Sequence, residues 1–227
     1  MTQYLNFSKK DIFLGYSIQF TITFIYPAQF PNIMKLILVR HGETPYNIKK
    51  IMQGQAHGEL SALGREQADK LGKRLSKMSI DHIYCSDLGR AKQTADEILK
   101  HTKAPIEYVE DIREKNCGGY EGKSYSGFER DLLNSPDMMN FKPKDGESTN
   151  EVNERVLSFL TEIEKKHKNQ TVLLVMHGGP IANFLLQILK DKKFEEVIPP
   201  NCAVSIIEKQ EDNDYKVELL NCTEHLS

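Results

Sequence analysis

The chain has 227 residues, 39% of them hydrophobic and 27% charged, with a formal net charge of −2. That length holds one sizeable α/β core or at most two small ones. The near-neutral balance gives no long-range pull toward nucleic acid or anionic membranes, so any anion must be held by a local site.

Four cysteines, Cys85, Cys117, Cys202 and Cys222, form no C-x-x-C pair in a chain far larger than a small disulfide scaffold. They read as reduced thiols in a cytoplasmic protein, with Cys85 a small core residue. With no Cys or His cluster at ligand spacing, a structural zinc site is not expected, and nothing else in the chain calls for a cofactor. An apolar stretch, Ile12 to Tyr26, lies behind Lys9 and Lys10. It is shorter than a membrane span, carries Gln, Ser and Thr, and no small-x-small cleavage site follows. Membrane association is not the favoured expectation from it; an anchor, a targeting segment or an added strand is the alternative to a variable extension. Met34 directly precedes the first strand, which sets residues 1–33 apart as an N-terminal extension on the pattern of an upstream start and leaves 34–227 as the domain.

Lys35 to Val39 reads as a buried strand. Ser61 is placed to cap a helix whose apolar stripe is Ala68, Leu71, Leu75 and Met78. His82 to Cys85 is a short strand. Ala91, Ala95, Ile98 and Leu99 recur at helical spacing, and Ile106 to Val109 is another short strand. A polar, Gly-rich region from Asp111 to Ser148 holds a short helix near Phe128 to Leu133. Ser148 and Glu151 have capping-box spacing ahead of a helix that turns Val152, Val156, Phe159, Leu160 and Ile163 to one side. The continuous apolar run Thr171 to Met176 is a second buried strand. Gly178 and Gly179 read as a turn, with Pro180 at the first position of the next helix. Two strands, within Ala203–Lys209 and Tyr215–Leu220, close the chain around an acidic turn, Glu211 to Asp214. The β-α-β-α order predicts a single α/β domain: three layers, with a mostly parallel central sheet flanked by helices.

In such sheets ligands bind beyond the carboxyl ends of the strands. That rule gathers scattered residues. Arg40 and His41 end the first strand, Arg90 follows the second, and His177 ends Thr171–Met176. Two arginines and two histidines facing one crevice make a phosphate-sized pocket, because guanidinium forks match phosphate oxygens. The helix start at Gly178 adds backbone N–H donors. Nearby guanidinium charges hold His41 neutral, and a neutral imidazole is a competent nucleophile toward phosphorus. Gly42 is expected to let the backbone pass close to the reacting group. A departing alkoxide needs a proton, and Glu114, in DIREKNCGGYEGK, is the candidate donor, kept protonated beside a bound phosphate dianion. Glu43 is the competing carboxylate.

The RHGET segment, Asn47, the SDLGRAKQTA block, the RE-x-x-x-G-x-x-EG block and the HGG turn resemble, in order, the histidine phosphatase superfamily, in its phosphoglycerate mutase-like branch. This resemblance implies that His41 becomes a phosphohistidine. It also implies that Arg40, Arg90 and His177 hold the phosphoryl group, that Glu114 is the proton donor, and that Asn47, Gln53 and Gly54 contact phosphate or substrate, without a metal. IMQGQ, SDLGRAKQT and GYEGKS look most like the fructose-2,6-bisphosphatase-type and TIGAR-like phosphatases. The short span between Glu121 and the GES motif at 146–148 favours a phosphatase over a mutase.

The expected function is therefore hydrolysis of small phosphorylated metabolites, fructose 2,6-bisphosphate or other sugar phosphates among them. A phosphoglycerate mutase is the first alternative and a non-catalytic phospho-ligand-binding module the second. One decoy falls away. GGYEGKS resembles a nucleotide-binding phosphate loop, but Gly118 stands one residue too close to the Gly–Lys pair and no buried strand runs into it.

Overall fold

The computed structural model describes residues 33–210 and 214–227. All of the N-terminal extension but Ile33, and residues 211–213 of the expected acidic turn, lie outside the described residues. Six strands form one sheet: β1 (Met34–Arg40), β2 (His82–Ser86), β3 (Ile106–Val109), β4 (Thr171–Met176), β5 (Val204–Lys209) and β6 (Tyr215–Cys222). Their order is β3-β2-β4-β1-β5-β6. The pairs β1–β4, β2–β4 and β2–β3 are parallel, whereas β5 and β6 add on antiparallel at the β1 edge.

Side-chain alternation along the strands divides the core in two. Leu36, Leu38, Val172, Leu174 and Met176 pack against α5 (Thr149–Lys166) and α6 (Gly178–Ile188). Ile37, Val39, Leu173 and Val175 pack against α2 (Ala62–Leu75) and α3 (Gly89–Leu99). Both faces are covered, so β1 and β4 read as unbroken apolar runs rather than as alternating ones. Three shorter helices complete the chain: α1 (Pro45–Ile48), α4 (Tyr125–Leu133) and α7 (Phe194–Val197). Among the described residues, no helix is long and apolar enough to cross a membrane.

The expected caps form. Ser61 Oγ accepts the Gly64 N–H at 3.0 Å, and Ser148 with Glu151 closes a capping box at the start of α5. Two expectations need correction. Pro180 is not the first residue of α6: His177 is the N-cap, and Gly178 and Gly179 are the first helical residues. Proline fits there because first-turn N–H groups have no intrahelical acceptor. Nor does Gly42 make room for the reacting group. A Cβ on Gly42 would lie 2.5 Å from the Gly64 carbonyl oxygen, so its smallness admits the start of α2.

The reciprocal contact is tighter, since a Cβ on Gly64 would lie 2.1 Å from the Glu43 carbonyl oxygen. Both neighbours are backbone, so neither can swing away. Gly64→Ala should lower stability by about 1–3 kcal/mol. Gly127→Ala, in α4 with no heavy atom within 4 Å of the added carbon, should raise it by about 0.5–1 kcal/mol. Urea unfolding of the two variants checks the opposite signs.

Candidate active site

Strand ends build the site. The His41 N–H donates to the Met176 carbonyl at 3.0 Å, which continues the β1–β4 register past Arg40 and sets His41 beside His177. The two imidazole rings lie 5.2 Å apart, centre to centre. Arg90 comes from the first turn of α3, just beyond the end of β2, and reaches His41 from the side. All three are buried: His41 is 3% exposed, Arg90 1% and His177 0%.

The hydrogen bonds fix which ring nitrogen of His41 is free. Nδ1 lies 2.7 Å from the Gly42 carbonyl oxygen, which can only accept, so Nδ1 carries the proton. Nε2 then presents its lone pair, and Arg90 Nε–H donates to it at 3.2 Å. Burial, then the charges of Arg90 and Arg40, hold His41 well below the ordinary imidazole value. His177 is pushed the same way by burial first and then by Arg90. Its Nε2 pairs with the Ser86 hydroxyl at 2.8 Å.

Arg90 donates one N–H from Nη2 to the Gly54 carbonyl (2.7 Å) and one from Nη1 to the Ala56 carbonyl (3.4 Å), and none to a carboxylate among the described residues. Burial lowers its pKa to about 10. Arg40 gives one N–H to the Pro199 carbonyl at 2.8 Å, and burial lowers its pKa too. Buried cations held by neutral carbonyls form an electropositive centre suited to an anion. Three buried nitrogens here, Arg40 Nε, Gln53 Nε2 and His177 Nδ1, have no hydrogen-bond partner among the described residues.

The remaining expected residues also gather here. Glu114 accepts the Lys115 N–H on Oε1 at 2.9 Å and the Gly179 N–H on Oε2 at 3.2 Å, so the carboxylate takes one of the backbone donors expected at the α6 start. Gly178 lies against Arg40, whose Nε would be 3.3 Å from a Cβ there. Asn47 belongs to the α1 capping box with Thr44, and its Oδ1 accepts from the Thr44 N–H at 3.0 Å. Thr44 Oγ1 lies 3.1 Å from Gln53 Oε1, an orientation that frees Gln53 Nε2. Gly54, at φ +54°, offers its carbonyl to Arg90; a side chain there would collide with Glu121. Glu43 is a strut, not an acid in the site: its carboxylate accepts from Ser61 Oγ at 2.7 Å and its carbonyl from the Ser61 N–H at 2.8 Å.

Several contributors carry no pattern of their own in the sequence. Asn201 Nδ2 donates to the His41 carbonyl at 2.9 Å from the loop before β5. Thr94 Oγ1 accepts the Gly42 N–H at 3.0 Å, and Arg155 reaches the Glu114 carbonyl at 3.0 Å from α5. Each is a single polar residue brought in by tertiary packing. Only Thr94 stood near a signal, inside SDLGRAKQTA.

A cavity of about 580 Å³ opens beside Arg40 and Asn47. Tyr46 and Lys50 line it, as do Tyr125 and Glu129 of α4. Among the described residues, no group of three or more His, Cys, Asp or Glu side chains is placed to hold a metal ion.

Residues 36–223 match the family model of the histidine phosphatase superfamily, branch 1. The chain is 33% identical over 208 residues to a broad-specificity phosphatase of Saccharomyces cerevisiae, covering 86% of this chain and 88% of that one. It is 31% identical over 207 residues to a probable phosphoglycerate mutase of Salmonella arizonae, covering 86% and 95%. The solved structure of Bacillus stearothermophilus YhfR superposes with a TM-score of 0.74 at 30% identity, over 86% of this chain and 100% of that chain. With the family model spanning most of the described domain, the chain belongs to the histidine phosphatase superfamily, branch 1, as an enzyme of the phosphoric monoester hydrolase type.

Proposed function

We propose that the chain is a metal-independent phosphatase of small phosphomonoesters that works through a phosphohistidine on His41. The observation that carries this reading is the unprotonated Nε2 of a buried, neutral His41, masked only by the Arg90 Nε–H and set between two guanidinium groups that, among the described residues, no carboxylate neutralises by direct hydrogen bonding. Nε2 attacks phosphorus in line and the bond to the leaving oxygen breaks, with Glu114 giving that oxygen its proton. For this attack Arg90 Nε–H has already turned from the ring nitrogen to a phosphoryl oxygen as substrate binds, which frees the Nε2 lone pair. Water next attacks the phosphohistidine as Glu114 takes its proton; the N–P bond breaks and inorganic phosphate leaves. Arg40, Arg90 and His177 supply the charge and donors that hold the transferring group. Phosphoryl oxygens also provide acceptors for the unpartnered nitrogens of Arg40, Gln53 and His177.

The cavity beyond Arg40 supports a small-molecule leaving group, since about 580 Å³ lies within the range of ordinary ligand sites. Its lining supports a polar alcohol over a second phosphate: among the described lining residues Lys50 is the one cation beyond Arg40, and the acidic Glu129 lines the same cavity. Sugar phosphates, fructose 2,6-bisphosphate included, and phosphoglycerates belong in the panel that tests it. The phosphoglycerate mutase named among the relatives is the second reading. It predicts isomer interconversion in place of phosphate release.

His41→Ala should abolish phosphate release, by more than about 10³-fold, and eliminate the acid-labile phosphoenzyme in a rapid quench, with the circular dichroism spectrum unchanged. Retained turnover would sink the mechanism. Wild-type phosphate release should persist in excess EDTA; loss of activity that added metal restores would overturn metal independence.

The histidines also set an acid limit. Below about pH 6.5 the unfolded chain takes up protons on His41 and His177. The folded protein, with both imidazoles held well below that value, does not. Stability present above about pH 6.5 is therefore lost as the pH falls, with a slope approaching about 1.4 kcal/mol per pH unit for each histidine. Urea unfolding between pH 7 and 5 should show this fall, and His177→Asn should flatten it by one proton. An unchanged slope in that variant would mean that His177 is not held neutral.

A further inference from the structure

Glu114 sits on an irregular turn. Residues 111–117 belong to no helix or strand, and Ile112 anchors the turn in the apolar core. Among the described residues, no backbone N–H donates to the carbonyls of Asp111, Arg113 or Glu114. All three accept instead from one side chain. Arg155, on α5 beside buried Val156, gives Nη1–H groups to the carbonyls of Asp111 and Arg113, each at 2.8 Å, and an Nη2–H to that of Glu114 at 3.0 Å. Its other two N–H groups go to Glu147, at 2.8 and 3.0 Å. All five donors of the guanidinium are therefore used, three of them on the turn that carries Glu114.

The pair extends its hold beyond the turn. Glu147 Oε2 also accepts the Asn116 N–H at 2.8 Å, and Gln55 Nε2 adds a second donor to the Glu114 carbonyl at 3.0 Å. The backbone on both sides of Glu114 is thus fastened to one ion pair, whose side chains are only 19% and 22% exposed. Burial disfavours the Glu147 charge, but the Arg155 fork and the Asn116 N–H outweigh it and hold the carboxyl below its ordinary value.

The geometry points to Arg155 as a positioning residue that sets the turn from which Glu114 delivers its proton to the leaving oxygen. This rests on the reading of Glu114 as the proton donor. Arg155 touches neither His41 nor the guanidinium groups around it by hydrogen bond, so phosphate binding does not need it. Proton transfer does, because displacing a catalytic group by about 1 Å costs on the order of 10²-fold in rate.

The test exploits the leaving group. Glycerol phosphate departs as an alkoxide and needs a proton, whereas 2,4-dinitrophenyl phosphate departs as a stable phenolate and needs none. Because kcat/KM reports steps only through phosphoenzyme formation, the comparison isolates the donor. Arg155→Lys keeps the charge but loses the planar fork. It should lower kcat/KM for glycerol phosphate by about 10- to 100-fold and leave that for 2,4-dinitrophenyl phosphate within about twofold. Inhibition by inorganic phosphate should be unchanged. Glu114→Gln should show the same selectivity with a larger loss. Equal losses on both substrates in Arg155→Lys, or no loss on either, would overturn the positioning role while a selective Glu114→Gln left the proton-donor reading standing. A Glu114→Gln variant impaired equally on both substrates would remove the proton-donor reading and the positioning role with it. Should Arg155→Lys fail to fold, Glu147→Gln carries the same test, with a selective loss of several-fold expected and a non-selective one overturning the role.

Discussion

The site depends on a guanidinium taken out of water and set against an imidazole nitrogen. Arg90 is 1% exposed, and its N–H groups end on two carbonyls and on His41 Nε2. Burying a charge with no direct carboxylate partner costs several kcal/mol, and only the carbonyl dipoles and the more distant field of Glu114 and Glu121 offset it. The cost has a chemical consequence. Neither His41 nor His177 takes a proton in that field, so His41, the proposed nucleophile, keeps its Nε2 lone pair and the pocket keeps a positive charge suited to an anion.

Holding such an arrangement requires a mount that does not relax. β1 and β4 supply it through a parallel register that places Arg40 opposite Met176 and makes His41 the next step of the ladder. A one-residue slip would move Leu36 and Leu38 from the α5–α6 face to the α2–α3 face, and both cores would have to repack. Register is therefore enforced over the whole length of the strands, while its chemical effect is felt at their last residue. The loop after His41 is tied as firmly, by the backbone contact of Gly42 with Gly64 and by Glu43 bonding Ser61.

Much of this was legible in the sequence, for reasons tied to particular residues. The continuous apolar runs ending in Arg40–His41 and Met176–His177 announced strands buried on both faces, and the carboxyl-end rule placed a site at their tips. The capping signals at Ser61 and at Ser148 with Glu151 marked helix starts correctly, because a cap is a local interaction. What failed was local chemistry settled by distant partners. Pro180 looked like a first helical residue, but the helix begins two residues earlier at Gly178. Gly42 looked like a catalytic concession, but its constraint comes from α2. Asn201 and Arg155 act across 160 and 41 positions of chain, on His41 and Glu114, and no periodicity encodes such pairings.

The proposed nucleophile and the proposed proton donor are thus held by two different means. His41 is held chiefly by the sheet, whose ladder its N–H continues onto Met176, with Asn201 fastening its carbonyl. Glu114 stands on a turn with no ladder, so its backbone position must be specified by side chains, and a planar five-donor fork is well suited to fix three carbonyls at once. The division also separates the two roles in space. The ion pair of Arg155 and Glu147 lies on the α5 side, where it braces the turn without contributing a hydrogen bond to the phosphate pocket. Variation around α4 and the Tyr125–Glu129 wall can then reshape the cavity, while strand-mounted His41 and the braced Glu114 stay in place.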